Sequence, residues 1–302
     1  MLPKLIVIEG TNASGKSGLG VELALRFGGE IVSADSRQVF RGLNLGSGKI
    51  TPEEMKGVPH HLLDVRDPME FFSMADFQQL ACQAIDDILA RGKIPFLVGG
   101  TGLYVDSVAE GYELSHKMPD LKYREELEQR TTEELAEMLQ KALPDMEVDL
   151  RNRNRVMRYL EKLHDGDMEP AKKRPRYEVL RLGVTWERSV LRQRIDERLE
   201  RRMREGMVQE VQSLLDQGVS PEKLLSFGLE YRFITQYLMG EYAREEEMTG
   251  LLATAIKQFA KRQMVWFRRC QEIHWLDMTG DPVTEASGLI QSFLATPENG
   301  PK

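Results

Sequence analysis

Gly10 is followed by Thr11, Asn12, Ala13 and Ser14, then by Gly15, Lys16 and Ser17, and this run opens directly after the apolar stretch Leu5 to Ile8. Two glycines at this spacing let the backbone turn its N–H groups inward, Lys16 adds a mobile cation, and the Ser17 hydroxyl can hold Mg²⁺ against phosphate oxygens. The chemistry is binding of a di- or triphosphate. The amphipathic segment from Gly18 to Phe27 supplies the helix whose positive end completes such a site.

Two further segments carry reactive groups. In ADSRQ, Asp35 follows a second apolar run, where a carboxylate could accept a proton, hold magnesium, or simply cap the next turn. Ser36 and Arg37 separate it from Gln38, whose amide is able to pair with an adenine edge. In FLVGGTGLY, Gly99, Gly100 and Gly102 allow close backbone approach and Thr101 offers a hydroxyl to a phosphate oxygen, unless the segment is only a tight turn. That strand lacks the terminal aspartate many nucleotide hydrolases use to hold magnesium, which weakens an ATPase reading.

The elements that must position these groups follow from pattern. Strands are predicted at Leu5 to Ile8, Glu30 to Ser33, Ile94 to Val98 and Val179 to Val184, with a clear helix from Met74 to Ala90. Strands alternating with helices imply a parallel sheet covered on both faces, with ligands beyond the carboxyl ends of the strands. This brings the three loops together. From about Asp120 the pattern becomes long charged helices: an acidic one over Leu121 to Leu143, a basic one over Arg151 to His164, and helices again from Glu187 to the end. The expected organisation is a first core part over 1–112, a helical insertion over 113–150, basic helices and a return to the core over 151–280, and a tail over 281–302.

With 302 residues, 41% hydrophobic and 29% charged, the chain suits a globular protein. No run reaches the roughly 18 apolar residues of a membrane span, no cleavable leader is evident, and a cytoplasmic protein is expected. Cys82 and Cys270 lack metal-site or disulfide spacing and read as buried small hydrophobes. The net charge of −7 hides a partition, because residues 151–204 carry 17 Lys/Arg against 9 Asp/Glu. A basic face for nucleic acid, or solvated helices with alternating charges, both fit that count.

Taken together these segments resemble the tRNA dimethylallyltransferase (isopentenyltransferase) family over nearly the whole chain. The resemblance rests on GTNASGKS at 10–17, ADSRQVFRGLNLGSGK at 34–49, GVPHHLLD at 57–64, VGGTGLY at 98–104, NRNRVMRYLE at 152–161, RIDERLERRMREGMVQEV at 194–211 and FAKRQMVWFRR at 259–269. It implies an α/β fold: a P-loop NTPase-like parallel sheet flanked by helices, with an inserted helical lobe and a helical C-terminal region. The implied reaction moves a dimethylallyl group from dimethylallyl diphosphate to the exocyclic amine of the adenosine 3′ of a tRNA anticodon.

On that resemblance residues 10–17 hold the diphosphate with Mg²⁺ at Ser17, and Lys16, Thr101 and Arg198, with Arg194 as a possible partner, stabilise the leaving group. Asp35 is the base. Contacts to the anticodon stem-loop come from Asp35, Ser36, Arg37, Gln38 and Thr101, and from Asn154, Arg155, Val156, Met157 and Arg158, with Lys261, Arg262 and Arg268 as further cations. A monomer is expected. Phe40 for tyrosine, Asn154 for glutamine, and Ile256–Lys257 for Thr-Arg depart from the family pattern. The alternatives are an adenylate isopentenyltransferase acting on free AMP, ADP or ATP, suggested by LGSGK at 45–49, a small-molecule P-loop kinase, and a tRNA-binding protein without activity.

Overall fold

A computed structural model describes residues 2–114, 120–146, 148–168 and 172–296, without the side chains of Leu121 and Asn154. In chain order the elements begin β1 (Lys4–Gly10), α1 (Lys16–Phe27), β2 (Glu30–Ala34), α2 (Pro52–Met55), β3 (His60–His61), α3 (Met74–Ala90), β4 (Pro95–Gly99) and α4 (Gly102–Ala109). Then come α5 (Leu121–Glu128), α6 (Thr132–Ala142), α7 (Arg153–His164), β5 (Glu178–Thr185), α8 (Arg188–Arg204), α9 (Met207–Asp216) and α10 (Pro221–Ser226). The chain finishes with α11 (Leu229–Leu238), α12 (Glu245–Phe267), β6 (His274–Asp277) and α13 (Pro282–Ala295). Residues 1–112 and 174–302 form one compact unit, and residues 113–173 another.

In the larger unit, aliphatic runs such as Leu5–Ile8 bury both faces of a six-stranded sheet of order β3-β2-β4-β1-β5-β6, with every adjacent pair parallel. Side-chain alternation sends Leu5, Val7, Val32 and Leu97 to a layer with Phe77 and Ile85 of α3 and Val105 of α4. Ile6, Ile8, Ile31, Phe96 and Leu182 face the opposite layer with Leu19 and Leu23 of α1 and Ile290 of α13. The sheet is therefore sandwiched, as an all-parallel sheet requires. A third core joins α8 to α12 through Ile195, Tyr231, Ile234 and Leu252, and takes in Val39, Phe40 and Leu43 from the segment after β2. Phe40 packs against Phe227 at 4.9 Å and Phe72 at 6.2 Å, so the hydroxyl that tyrosine would bring faces an aromatic surround.

The two ends of β2 are held in different ways. At its start Glu30, 1% exposed, accepts from Arg91 at 2.9 Å, Lys93 at 2.8 Å and His61 at 2.8 Å. At its end β2 meets β4 so closely that a Cβ on Gly99 would collide with the Ala34 backbone.

The strands predicted from sequence are β1, β2, β4 and β5, and the helix predicted at Met74–Ala90 is α3. Two strands are additional. β3 is two residues long, and β6 interrupts the run expected to be helical from Glu187 onward by adding an edge to β5. The acidic segment 121–143 is two helices instead of one, because Thr131 caps α6 reciprocally with Glu134. Residues 282–295 of the expected tail are α13, with Ala286 and Ile290 buried, while 297–302 lie outside the described residues. Cys82 is buried, whereas Cys270 is only half-buried.

The smaller unit is built on its own core of Leu127, Leu135, Leu139, Val156, Met157 and Leu160 from α5, α6 and α7. Its buried Glu161 pairs with Arg124 at 3.0 Å and Arg158 at 3.5 Å.

Candidate active site

Residues 10–17 turn from β1 into α1, with Gly15 at φ +87° in the left-handed region where a side chain is strained. The loop is fastened from outside. Trp186 Nε1 donates to Ser14 O at 2.8 Å, Arg194 Nε donates to Ala13 O at 3.0 Å, and Gln263 Oε1 accepts from Asn12 N at 3.0 Å. Lys16 Nζ reaches Thr11 O at 3.2 Å. Ser14 Oγ is buried and, among the described residues, lacks a hydrogen-bond partner.

Across the sheet end, Asp35 Oδ1 accepts from Arg37 N at 2.8 Å and Gln38 N at 3.4 Å, the capping turn that a DSRQ sequence favours. Thr101 Oγ1 accepts from Ser36 N at 3.2 Å, which ties the turn after β2 to the turn after β4. Gln38 uses both ends of its amide: Oε1 accepts from Ser33 Oγ at 3.0 Å and Nε2 donates to Gly48 O at 3.2 Å. One lone pair and one N–H remain for a ligand.

These groups converge on a pocket lined by Asn12, Lys16, Ser17, Asp35, Gln38, Gly48 and Arg198, among others. A second cavity shares Asn12 and Arg198 with it and adds Ala13, Ile195, Leu199, Arg202, Met207, Glu230 and Ile256. One chamber is polar and cationic; in its neighbour the hydrocarbon of Ala13, Ile195, Leu199, Met207 and Ile256 lies alongside Arg198, Arg202 and Glu230. Such a pair suits a molecule with an anionic head and an apolar tail.

The family model described as IPP transferase matches residues 38–270. The chain belongs to the IPP transferase family. It is 47% identical over 294 residues to tRNA dimethylallyltransferase 2 of Shewanella sediminis (strain HAW-EB3), covering 95% of this chain and 97% of that protein. Among solved structures, the full-length tRNA isopentenylpyrophosphate transferase of Bacillus halodurans superposes with TM-score 0.74 at 38% identity, over 96% of each chain. A eukaryotic dimethylallyltransferase acting on tRNA gives TM-score 0.80 at 25% identity, over 99% of this chain and 81% of that one. Its neighbours thus share the P-loop NTPase-like sheet.

In this IPP transferase the polar pocket concentrates positive charge. Burial, and then the nearby Arg198, push Lys16 down to about 8, against the pull of Asp35. Burial and Arg198 likewise bring Arg202 down to about 9, and burial lowers Arg198 and Arg37. Among the described residues, none of these four cations forms an ion pair with a carboxylate. Glu230, whose acidity burial weakens, is the carboxylate in the adjoining cavity. The four cations thus share this region with the carboxylates of Asp35 and Glu230, which leaves positive charge in excess.

Residues expected from sequence fall into two groups. Lys16, Ser17, Asp35, Gln38 and Arg198 line one pocket, with Thr101 joined to it through Ser36. Arg194 instead braces the loop and lies 4.5 Å from the Trp186 ring. Residues 154–158 belong to α7 of the smaller unit, where helical periodicity exposes Arg155 and Arg158 but turns Val156 and Met157 inward. Val156 and Met157 pack into the core of the smaller unit. The side chain of Asn154 lies outside the described residues. On α12 and its C-cap, Lys261, Arg262 and Arg268 are exposed, Ile256 lines the second cavity, and Lys257 pairs with Asp196 at 2.6 Å.

Arg202, Glu230, Trp186 and Gln263 were not legible as site residues. The one available signal was for Gln263, the only polar position in the buried stripe Met248, Leu252, Ile256, Ala260, Gln263 and Phe267 of α12. As for metals, no cluster of three or more His, Cys, Asp or Glu exists among the described residues. A divalent ion would need the Ser17 hydroxyl and phosphate oxygens as its donors.

Proposed function

We propose that this chain transfers the dimethylallyl group of dimethylallyl diphosphate to the exocyclic amine of the adenosine immediately 3′ of the anticodon, in tRNAs reading codons that start with U. The observation that carries this reading is the junction of the two chambers at Asn12 and Arg198, with Lys16 and Asp35 lining the polar one. The names of its relatives, all given for tRNA substrates, favour tRNA over free AMP, ADP or ATP and over a kinase acceptor.

The diphosphate lies on the loop of residues 10–17, where Lys16, Arg198 and Arg202 meet its charge and Ser14 Oγ gains a partner. The dimethylallyl tail occupies the cavity of Ile195, Leu199, Met207 and Ile256. As the allylic C–O bond breaks, negative charge grows on the departing oxygen, and preorganised cations stabilise that charge more than the ground state. The adenine amine forms the new C–N bond and its proton passes to Asp35, whose Oδ1 is already fixed by Arg37 N and Gln38 N. Thr101, held by Ser36 N, keeps a hydroxyl hydrogen for the diphosphate.

Mg²⁺ fits the donors on the loop, because hard oxygens from Ser17 and the diphosphate are what it prefers; it would neutralise charge on the leaving group when bound. A stacked adenine cannot reach Asp35, so the nucleotide turns outward at a cost of a few kcal/mol and Gln38 reads its edge. Arg155 and Arg158 on α7 and the exposed cations of α12 hold the stem-loop by its phosphates. The protein acts as a monomer.

The test is incubation of purified protein with Mg²⁺, labelled dimethylallyl diphosphate and either an unmodified anticodon stem-loop or AMP. Label should enter the stem-loop at the adenosine 3′ of the anticodon. Label in AMP alone would establish the adenylate reading, and ADP formed from ATP with a small acceptor would establish a kinase.

A further inference from the structure

Gln263 is the side chain that joins both halves of the phosphate site.

 It sits near the C-terminal end of α12, outside the three loops of the site. Its Oε1 accepts from Asn12 N at 3.0 Å, on the diphosphate loop, and its Nε2 donates to Gly100 O at 2.8 Å, on the turn that leads to Thr101. It is 8% exposed. Because Thr101 Oγ1 in turn accepts from Ser36 N, beside Asp35, the hydrogen-bonded path runs from the diphosphate loop to the carboxylate turn with Gln263 as its link.

We infer that Gln263 is a positioning residue that sets the gap between the diphosphate loop and the Thr101–Asp35 side; the inference rests on the transfer reaction proposed above. One planar amide supplies an acceptor and a donor in fixed relation, which neither a carboxylate nor a thioether can do. The helix bearing it is itself held one turn later. Trp266 Nε1 donates to Asp106 Oδ2 at 2.8 Å, Asp106 Oδ1 accepts from Arg181 at 2.7 Å, and Arg181 grips Glu9 through two contacts of 2.7 Å just before the loop. Gln263 and Trp266 therefore stand on one face of α12 and brace β1, the diphosphate loop and α4 together. Gln263 touches neither the breaking bond nor the amine. Its effect is on the distance over which the allyl carbon must travel.

The experiment compares wild type, Gln263→Met and Gln263→Glu in single-turnover transfer of labelled dimethylallyl to an anticodon stem-loop. Stem-loop affinity, inhibition by inorganic pyrophosphate and thermal melting are measured alongside. Gln263→Met, of similar length but with neither bond, should lower the transfer rate on the order of 10²-fold, the usual effect of misplacing reacting groups by about 1 Å. Both affinities should stay within about threefold of wild type. Gln263→Glu keeps the acceptor for Asn12 N and should lose less, on the order of tenfold. A Gln263→Met rate within threefold of wild type overturns the inference, as does a loss shared equally by rate, affinities and melting temperature. Should the methionine variant not fold, the same criteria applied to Gln263→Glu decide. If wild type itself transfers no label, the proposed function fails instead, and the two failures are told apart.

Discussion

The two ends of β2 carry one carboxylate each and treat it in opposite ways. Glu30, at the start, is buried and met by Arg91, Lys93 and His61, and hydrogen bonding from Arg91 holds it well below the usual carboxylate range. Asp35, just past the other end, shares its pocket with Lys16 and Arg198, yet among the described residues it forms no ion pair. Five positions apart, one carboxylate is matched by ion pairs and, among the described residues, the other is not. A satisfied charge holds structure; an unsatisfied one marks a place where binding energy is still to be gained.

The largest expected effect breaks the functional end. Asp35→Ala should lower turnover by at least about 10²-fold while inhibition by pyrophosphate stays nearly constant, as befits loss of a general base. Near-normal turnover would remove Asp35 from the reaction.

A smaller effect sharpens the contrast through pH. Lys16 is pushed down to about 8 by burial and by the nearby Arg198, and the negative charge of a bound diphosphate would raise it again. Pyrophosphate affinity carried by Lys16 should therefore hold below pH 8 and decline above it, by up to about tenfold per pH unit. Titration calorimetry checks this, and Lys16→Arg, which stays protonated, should lack the decline.

The smallest effect on the reaction comes from the structural end. Glu30→Gln should cost about 1–3 kcal/mol of stability, as for a buried charged hydrogen-bond acceptor, and leave turnover per folded molecule unchanged. Since folding lowers the Glu30 pKa from its ordinary 4.5, its stabilisation is complete above that value and is lost as pH falls through the folded one. Melting temperatures of the two proteins should converge below pH 4.5.

Much of this was legible in the residues. Leu5–Ile8 and Ile94–Val98 announced buried parallel strands because unbroken apolar runs fit a sheet covered on both faces, and the glycine and lysine spacing at 10–17 announced the turn from β1 into α1. β3 and β6 were not legible, since His60–His61 and His274–Asp277 are too short to show alternation and gain their partners only at the sheet edges. Arg202 escaped notice for another reason. In RQRIDERLERRMR every turn carries charge, so nothing local tells which arginine points inward; that is decided by Gly48, against which Arg198 and Arg202 pack. Val156 and Met157 show the reverse case, apolar types inside a basic segment whose burial the helical period already required.

The crowding of Gly99 against Ala34 has an evolutionary consequence. Any heavier residue at 99 would wedge the carboxylate turn away from the Thr101 turn, so that side of the cleft is a fixed reference against which variants cannot be tuned. Changes in donor size or acceptor choice must therefore accumulate in the helices opposite, at positions such as Ile195, Met207 and Ile256, where a side chain can grow or shrink without unseating a strand.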